Sequence, residues 1–451
     1  MKRIFTGVIA LTIILALTLT GCGAVNTTSP SGTNKPTGTT PAPPATSPTS
    51  SGSSTLSVNL MNGVTSTAWS KEPGVPDSRI LAAINRFSAG LLQRSAGNEG
   101  NVLISPLSVF LALAMTLNGA NGETRAAMLR TLADQGITAD QINEAGRSLM
   151  SLMSRNGEKT TLSIANSIWF EQRFQADKSF LQTNADFYKA GAYKLNFRDP
   201  AAKEVINGWV KKETHDLIEQ IVEKIDPGTV MFLINTVYFV SDWAKPFEKN
   251  QTRKMSFQSP TGAVETDFMH RIDKMSYFTG DGVTGVALSY ADAQFAYFAL
   301  MPESGESTAK WLARQDQATL FGSILNLTRQ KANFTVELLL PRYKASYEDS
   351  LLNELEALGM GIAFKGATAD FTLLSENREP GLYITEVKHK TFIRVDEKGT
   401  EAAAATSVVI GKSAAGPADI RLTFDKPFLY GILELKTGVP VFVGILNNPV
   451  S

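Results

Sequence analysis

Asp396-Glu397-Lys398-Gly399-Thr400-Glu401-Ala402-Ala403-Ala404-Ala405-Thr406 follows a strand-like run, Tyr383–Val395, and precedes a string of small or flexible residues, Ser407 to Ala418. By composition alone it suggests an alanine-rich exposed loop or a short helix. Strand periodicity adds an asymmetry. One face would carry Thr400, Ala402, Ala404, Thr406, Val408 and Ile410, and the other Glu401, Ala403, Ala405, Ser407, Val409 and Gly411. The first face has no charge. A loop that stayed in water would have no physical reason to keep such a side, so the segment has the character of a strand held in reserve.

Outward from this stretch the chain divides into helices first and strands later. Asp77 can cap a helix in which Ile80, Leu81, Ile84, Phe87 and Leu91 recur at helical spacing. A second helix should begin at Ser105, with Pro106 at its first position and an apolar run through Val109, Leu113 and Leu117 that implies burial. Helical patterns also cover Thr124–Leu132, Asp140–Met153, Phe180–Ala190, Ala201–Gln220 and Tyr347–Leu358. Strands are expected at Ser163–Trp169, Val230–Val240, Ala287–Tyr290, Phe295–Met301, Thr335–Leu340, Tyr383–Val395, Ile420–Phe424, Phe428–Leu435 and Val439–Leu446. This order fits an α+β fold with antiparallel-rich sheets rather than a regularly alternating one.

The N-terminal end has a different chemistry. Met1-Lys2-Arg3 is basic and Ile4–Leu19 is apolar apart from Thr and Gly, the layout of a secretory signal. It ends in Leu19-Thr20-Gly21-Cys22, which resembles the bacterial lipobox; that resemblance implies removal of residues 1–21 and a lipid on Cys22, the single cysteine of the chain. With one cysteine no internal disulfide can form, so the fold must rest on packing. Residues 22–74 are rich in Ser, Thr, Pro and Gly and poor in charge and aromatics until near their end, and would form a linker reaching roughly 35–45 Å. The remainder, 75–451, is expected to be one large domain. Lys+Arg and Asp+Glu stand at 43 each, a balance that argues against an electrostatic grip on nucleic acid.

Catalytic motifs fail one by one. The three histidines, His215, His270 and His389, include no pair at metal-binding helical spacing. Gly411-Lys412-Ser413-Ala414-Ala415-Gly416 misses a nucleophile elbow by one residue and lacks the strand before and helix after it. Gly280-Asp281-Gly282-Val283-Thr284-Gly285 matches a dinucleotide fingerprint in letters, yet the run after it reads as a strand where a phosphate site needs a helix N-terminus, so a hairpin turn is the better assignment. No enzyme, cofactor or metal site is expected.

Residues 397–406 resemble the reactive-loop hinge of inhibitory serpins, a family of protease inhibitors, with small side chains where noninhibitory members often have bulky, charged or Pro residues. The resemblance extends along the folded region. Asn101–Ser108 and Leu117–Thr124 are similar to the start of that family's buried central helix and the turn after it. Asn235–Trp243 with Pro246-Phe247 is similar to a sheet-A strand and its aromatic end, and Phe424–Phe428, Val441–Gly444 and Pro449 to the C-terminal signature. The implied fold has about nine helices around three mostly antiparallel sheets, with a reactive loop at about 397–418.

The resemblance also implies a mechanism and a set of site residues. A serine endopeptidase, or a cysteine one, attacks the loop as substrate, and the cleaved loop enters sheet A before the acyl-enzyme is hydrolysed. Glu397, Gly399, Thr400, Ala402, Ala404 and Thr406 would form the hinge, Ser105, Ser108, Asn235 and His389 the polar shutter at which the sheet opens, and Trp243 the breach where the loop enters. The usual spacing places the cut at Ser413-Ala414, which suits elastase-like or subtilisin-like proteases. A one-residue shift to Lys412-Ser413 suits trypsin-like ones, and counting back from Phe424 moves the cut nearer Gly416. The expected protein is monomeric, exported, held to the outer face of a bacterial membrane through its lipid alone, and free of nucleic acid. The alternative is a noninhibitory member acting as a binding or storage protein.

Overall fold

The structure, a computed structural model, describes residues 9–19, 57–69, 74–97, 100–133, 135–303, 305–400 and 417–450. The described residues form helices α1 (Ser78–Ser95), α2 (Pro106–Leu117), α3 (Gly122–Leu132), α4 (Ala139–Met153), α5 (Lys178–Tyr188), α6 (Ala202–Glu213), α7 (Thr308–Ala313), α8 (Leu320–Arg329) and α9 (Leu352–Leu355). The strands of the first half are β1 (Ile9–Leu19), β2 (Ser57–Asn59), β3 (Val102–Ile104), β4 (Arg155–Asn156), β5 (Thr160–Glu171), β6 (Gly191–Leu195), β7 (Thr229–Asp242), β8 (Arg253–Ser259) and β9 (Gly262–Gly280). Those of the second half are β10 (Val283–Ser289), β11 (Phe295–Pro302), β12 (Phe334–Pro341), β13 (Tyr343–Ser350), β14 (Leu382–Val395), β15 (Gly399–Thr400), β16 (Ile420–Thr423), β17 (Phe428–Glu434) and β18 (Pro440–Leu446).

Sheet A runs from edge strand β13 through β14 to a position shared by β1 and β15, then through β7, β5 and β6 to β2, with β4 beside β5. The other strands follow the order β16, β12, β9, β10, β11, β17, β18, β3, with β8 also on β9. Strand β9 joins two sheets: its Gly262–Met275 part pairs with β8 and β12, and its Ser276–Gly280 part pairs with β10. The second and third expected sheets therefore share a strand. The β9–β10 turn holds Asp281 and Gly282, both at positive φ, which is the hairpin expected there and suits a two-residue primed turn.

Helix α2 explains how the layers hold together. Ser105 caps it by accepting from the Ser108 amide, Pro106 sits in the first turn, and every residue from Pro106 to Leu117 is buried. A helix that is apolar all round needs partners on all sides. It packs between β7 of sheet A and β18 of the sheet behind. On the opposite face of sheet A, α6 buries Ala202, Ile206 and Val210 against Trp169 and Phe232.

Three expectations on local structure are corrected. Tyr347–Leu358 is not one helix: Tyr343–Ser350 is edge strand β13, whose Tyr343 and Ala345 are buried at a period of two, and only Leu352–Leu355 is α-helical. The helix expected to reach Gln220 stops at Glu213, because His215 and Asp216 adopt positive φ. The end of the linker is docked on the domain. Strand β2 adds to β6, the Thr67 amide donates to Asp186 Oδ1 at 2.6 Å, Trp69 Nε1 donates to the Asp186 carbonyl at 2.7 Å, and Lys189 Nζ lies 4.0 Å from the Trp69 ring centre. Apolar Leu60, Met61 and Trp69 give this part of the linker a surface to bury, which the Ser/Thr/Pro stretch before it lacks.

Candidate functional site

Strands β7 and β14 run in the same direction, separated by one strand position. At the end where β7 finishes, β15 fills that position: Gly399 is opposite Asp242, and Thr400 is opposite Ser241 on one side and Val395 on the other. Below it lies β1, antiparallel to both neighbours. Ile9 is opposite Phe239, Ile13 is opposite both Asn235 and His389, and Leu19 is opposite Leu382. The apolar segment expected to act as an export signal is here an interior strand, as its uncharged Leu- and Ile-rich sequence permits. Among the described residues, no helix is long and apolar enough to cross a membrane.

The hinge is anchored by buried aromatics and by the carboxylates of Glu397 and Asp396, the latter accepting from the Lys398 amide at 2.9 Å. Thr400 is fully buried and its hydroxyl shares a hydrogen bond with the Tyr290 hydroxyl. Tyr290 stacks on Trp243 with ring centres 4.8 Å apart and planes 10° from parallel. Trp243 holds the turn before the hinge, its Nε1 donating to the Asp396 carbonyl at 2.9 Å and its amide to the Lys398 carbonyl at 2.8 Å. The Phe247 amide donates to the Glu397 carbonyl at 2.7 Å. Buried Glu397 accepts from Thr252 Oγ1 at 2.8 Å and stands 3.5 Å from Arg342 Nη1. Gly399 lies so close to β7 that a Cβ would collide with the Ser241 carbonyl oxygen, so only glycine fits without displacement.

Midway down the slot the polar residues form a chain. His389 is fully buried, and its Nε2 accepts from the Ser105 amide at 3.2 Å. Ser105 Oγ accepts from the Ser108 amide at 3.3 Å, and Ser108 Oγ donates to Asn235 Oδ1. Asn235 Nδ2 donates to Asn166 Oδ1 at 2.6 Å, and Asn166 Nδ2 to the Tyr188 carbonyl at 2.8 Å. Burial pushes the His389 imidazole down to about 3, so it is neutral near pH 7. This chain crosses from β14 through the start of α2 to β7 and β5. A strand entering the slot passes between its two ends.

The family profile Serpin (serine protease inhibitor) matches residues 82–449. The chain is a serpin. It is 31% identical over 374 residues to a serpin-like protein of Thermococcus kodakarensis, covering 82% of this chain and 86% of that one. The native-state crystal structure of the thermophilic serpin tengpin superposes with a TM-score of 0.79 at 35% identity, covering 87% of this chain and all of that one. Human thyroxine-binding globulin complexed with thyroxine shares the fold at a TM-score of 0.71 and 24% identity, covering 83% of this chain and all of that one. The family is one of serine protease inhibitors rather than catalysts.

In this serpin Ser105, Ser108, Asn235 and His389 lie together, as do Trp243, Glu397, Gly399 and Thr400 at the mouth of the slot. Ala402, Ala404, Thr406, the bond at Ser413-Ala414 or Lys412-Ser413, and the lipid site Cys22 lie outside the described residues. Sequence reasoning missed Asn166, Tyr290, Thr252 and Arg342. Asn166 had a usable signal: it is an amide in the middle of a largely apolar strand, and such a group needs a partner. Tyr290 and Arg342 had none, since only the fold brings them beside residues far along the chain.

Proposed function

We propose that the processed serpin is an irreversible suicide-substrate inhibitor of endopeptidases, trapping the acyl-enzyme as its cleaved loop enters sheet A. The observation that carries this reading is Thr400, already paired on both sides inside the sheet while the chain beyond it must reconnect to β16 at Ile420. Continuing the register of β15 would set Ala402 between Phe239 and Ile393, Ala404 between Val237 and Thr391, Thr406 between Asn235 and His389, and Val408 between Leu233 and Val387. All eight neighbours are buried. The charge-free face found in the sequence then meets the core, and Glu401 and its companions meet the other side. Insertion adds ladder bonds on two edges and moves an attached protease by about 3.3 Å per residue. Roughly 14 residues carry it some 46 Å.

The same proposal includes attachment through a lipid on Cys22 to the outer face of a bacterial membrane, and a target with a small-residue pocket, elastase-like or subtilisin-like, or trypsin-like if the cut follows Lys412. The test is incubation of the processed protein with one enzyme of each type. SDS-resistant complexes support inhibition, and mass spectrometry of the released peptide identifies the bond. Clean cleavage by all three without complexes favours the noninhibitory alternative. Cys22→Ser should abolish labelling by a fatty-acid precursor; persistent labelling rejects the anchor.

A further inference from the structure

The insertion slot has an occupant in the unprocessed chain. We propose that, before processing, the slot is a strand-binding site filled by the chain's own Ile9–Leu19, so that the precursor is disarmed and removal of this segment arms it. This rests on the slot being the destination of the cleaved loop.

Three observations carry the inference. First, β1 is hydrogen-bonded to both β7 and β14, with the antiparallel direction that β15 has toward the same two strands. Second, the registers coincide. Ile9 is opposite Phe239, the position Ala402 would take, while Leu11 stands in for Ala404, Ile13 for Thr406 and Leu15 for Val408. The hinge ends as β15 at Thr400, and the register position two residues further on, opposite Phe239, is already held by Ile9. Neighbouring strands lie about 4.8 Å apart, so the gap admits one strand and the two occupants exclude each other. Third, the sequence suits the place: Ile9-Ala10-Leu11-Thr12-Ile13-Ile14-Leu15-Ala16-Leu17-Thr18-Leu19 has no charge, proline or glycine to oppose burial in a sheet.

The consequence is a link between location and activity. Processing before Cys22 hydrolyses the Gly21–Cys22 bond, two residues beyond the end of β1, which severs the tether that holds the occupant at high effective concentration and lets its departure leave the slot to the loop. A copy that is never exported keeps its slot filled. A protease meeting that copy would cut the loop and depart, so proteases inside the producing cell would escape irreversible capture.

The test compares the full chain carrying Cys22→Ser, made unprocessed in a cell-free system, with the processed protein extracted from membranes. The unprocessed chain should be cut in its loop and give at least tenfold fewer SDS-resistant complexes, with a melting temperature that hardly changes on loop cleavage. Adding Ile13→Asp and Leu15→Asp to it should expel β1 and restore complexes to within about twofold of the processed form. Equal complex yield from the unprocessed and processed proteins overturns the inference. Should the processed form give no complexes, the inhibitory reading fails instead. Slot occupancy is then read from melting alone, where equal temperatures for the unprocessed chain with and without the two Asp substitutions overturn it.

Discussion

The Thr400 hydroxyl meets the Tyr290 hydroxyl inside the end of sheet A, and Tyr290 in turn stacks on Trp243. The hinge is thus a buried strand end whose first inserted side chain has a fixed polar partner. Its position leaves no room for charge.

Thr400→Arg would put a guanidinium where Thr400 is fully buried, between β7 and β14. An unpaired buried charge costs several kcal/mol, and every 1.4 kcal/mol slows a step about tenfold. The Arg would drive the hinge out of the sheet, and a penalty of about 4 kcal/mol on its re-entry would retard insertion roughly a thousandfold, enough for hydrolysis of the acyl-enzyme to win. The variant should be cleaved at the same bond without forming SDS-resistant complexes, whereas Thr400→Ser should still form them. Unaltered inhibition by the Arg variant, measured as stoichiometry, rules out entry led by Thr400.

Gly399→Ala addresses the approach to β7. The added methyl collides with the Ser241 carbonyl oxygen, which is backbone and has little freedom to yield. Strand β15 should detach, and with it the Lys398 and Asp396 carbonyls that Trp243 binds. Limited proteolysis near Lys398 should accelerate, and Trp243 fluorescence should shift to the red. A cleavage rate equal to wild type would mean that β15 pairing does not restrain the hinge.

Glu397 ties the hinge to β13 and its surroundings through Thr252 and Arg342. Its link to Arg342 is long and Arg342 is partly in water, so the ionic part should be worth about 1 kcal/mol or less. Glu397→Gln keeps an acceptor for Thr252 and should lower stability by no more than that. Glu397→Leu leaves the Thr252 hydroxyl unpaired and should cost about 1–3 kcal/mol. Guanidinium unfolding compares them, and equal losses would show that the Thr252 bond is not what matters.

Local chemistry made much of this molecule legible. Asp77, Ser105 and Pro106 announced two helix starts, and apolar runs located β7, β11, β17 and β18. Tyr347–Leu358 misled because an edge strand with one buried face and polar residues between can imitate helical spacing over a few residues. Long-range pairing was invisible by nature. Nothing local to Ile9–Leu19 distinguishes a membrane-seeking segment from a buried strand, since both need only an uncharged apolar sequence. Glu397 likewise carries no sign that Arg342, in the link between β12 and β13 far back in the chain, will stand beside it.

His389 makes the shutter sensitive to acid. Its Nε2 lone pair accepts from the Ser105 amide, and among the described residues Nδ1 has no partner. Protonation would break the bond to Ser105 and bury an uncompensated charge. The folded-state value is depressed to about 3 from 6.5, so between those values the unfolded chain binds a proton that the folded one does not. Stability from this group is therefore fully present above pH 6.5 and lost as pH falls toward 3, by about 2 kcal/mol at pH 5. His389→Asn removes the titration. Its denaturation midpoint should fall less than that of wild type between pH 7 and pH 5, whatever its stability at pH 7. Parallel pH profiles for the two proteins would show that His389 is not the residue through which acid loosens the sheet.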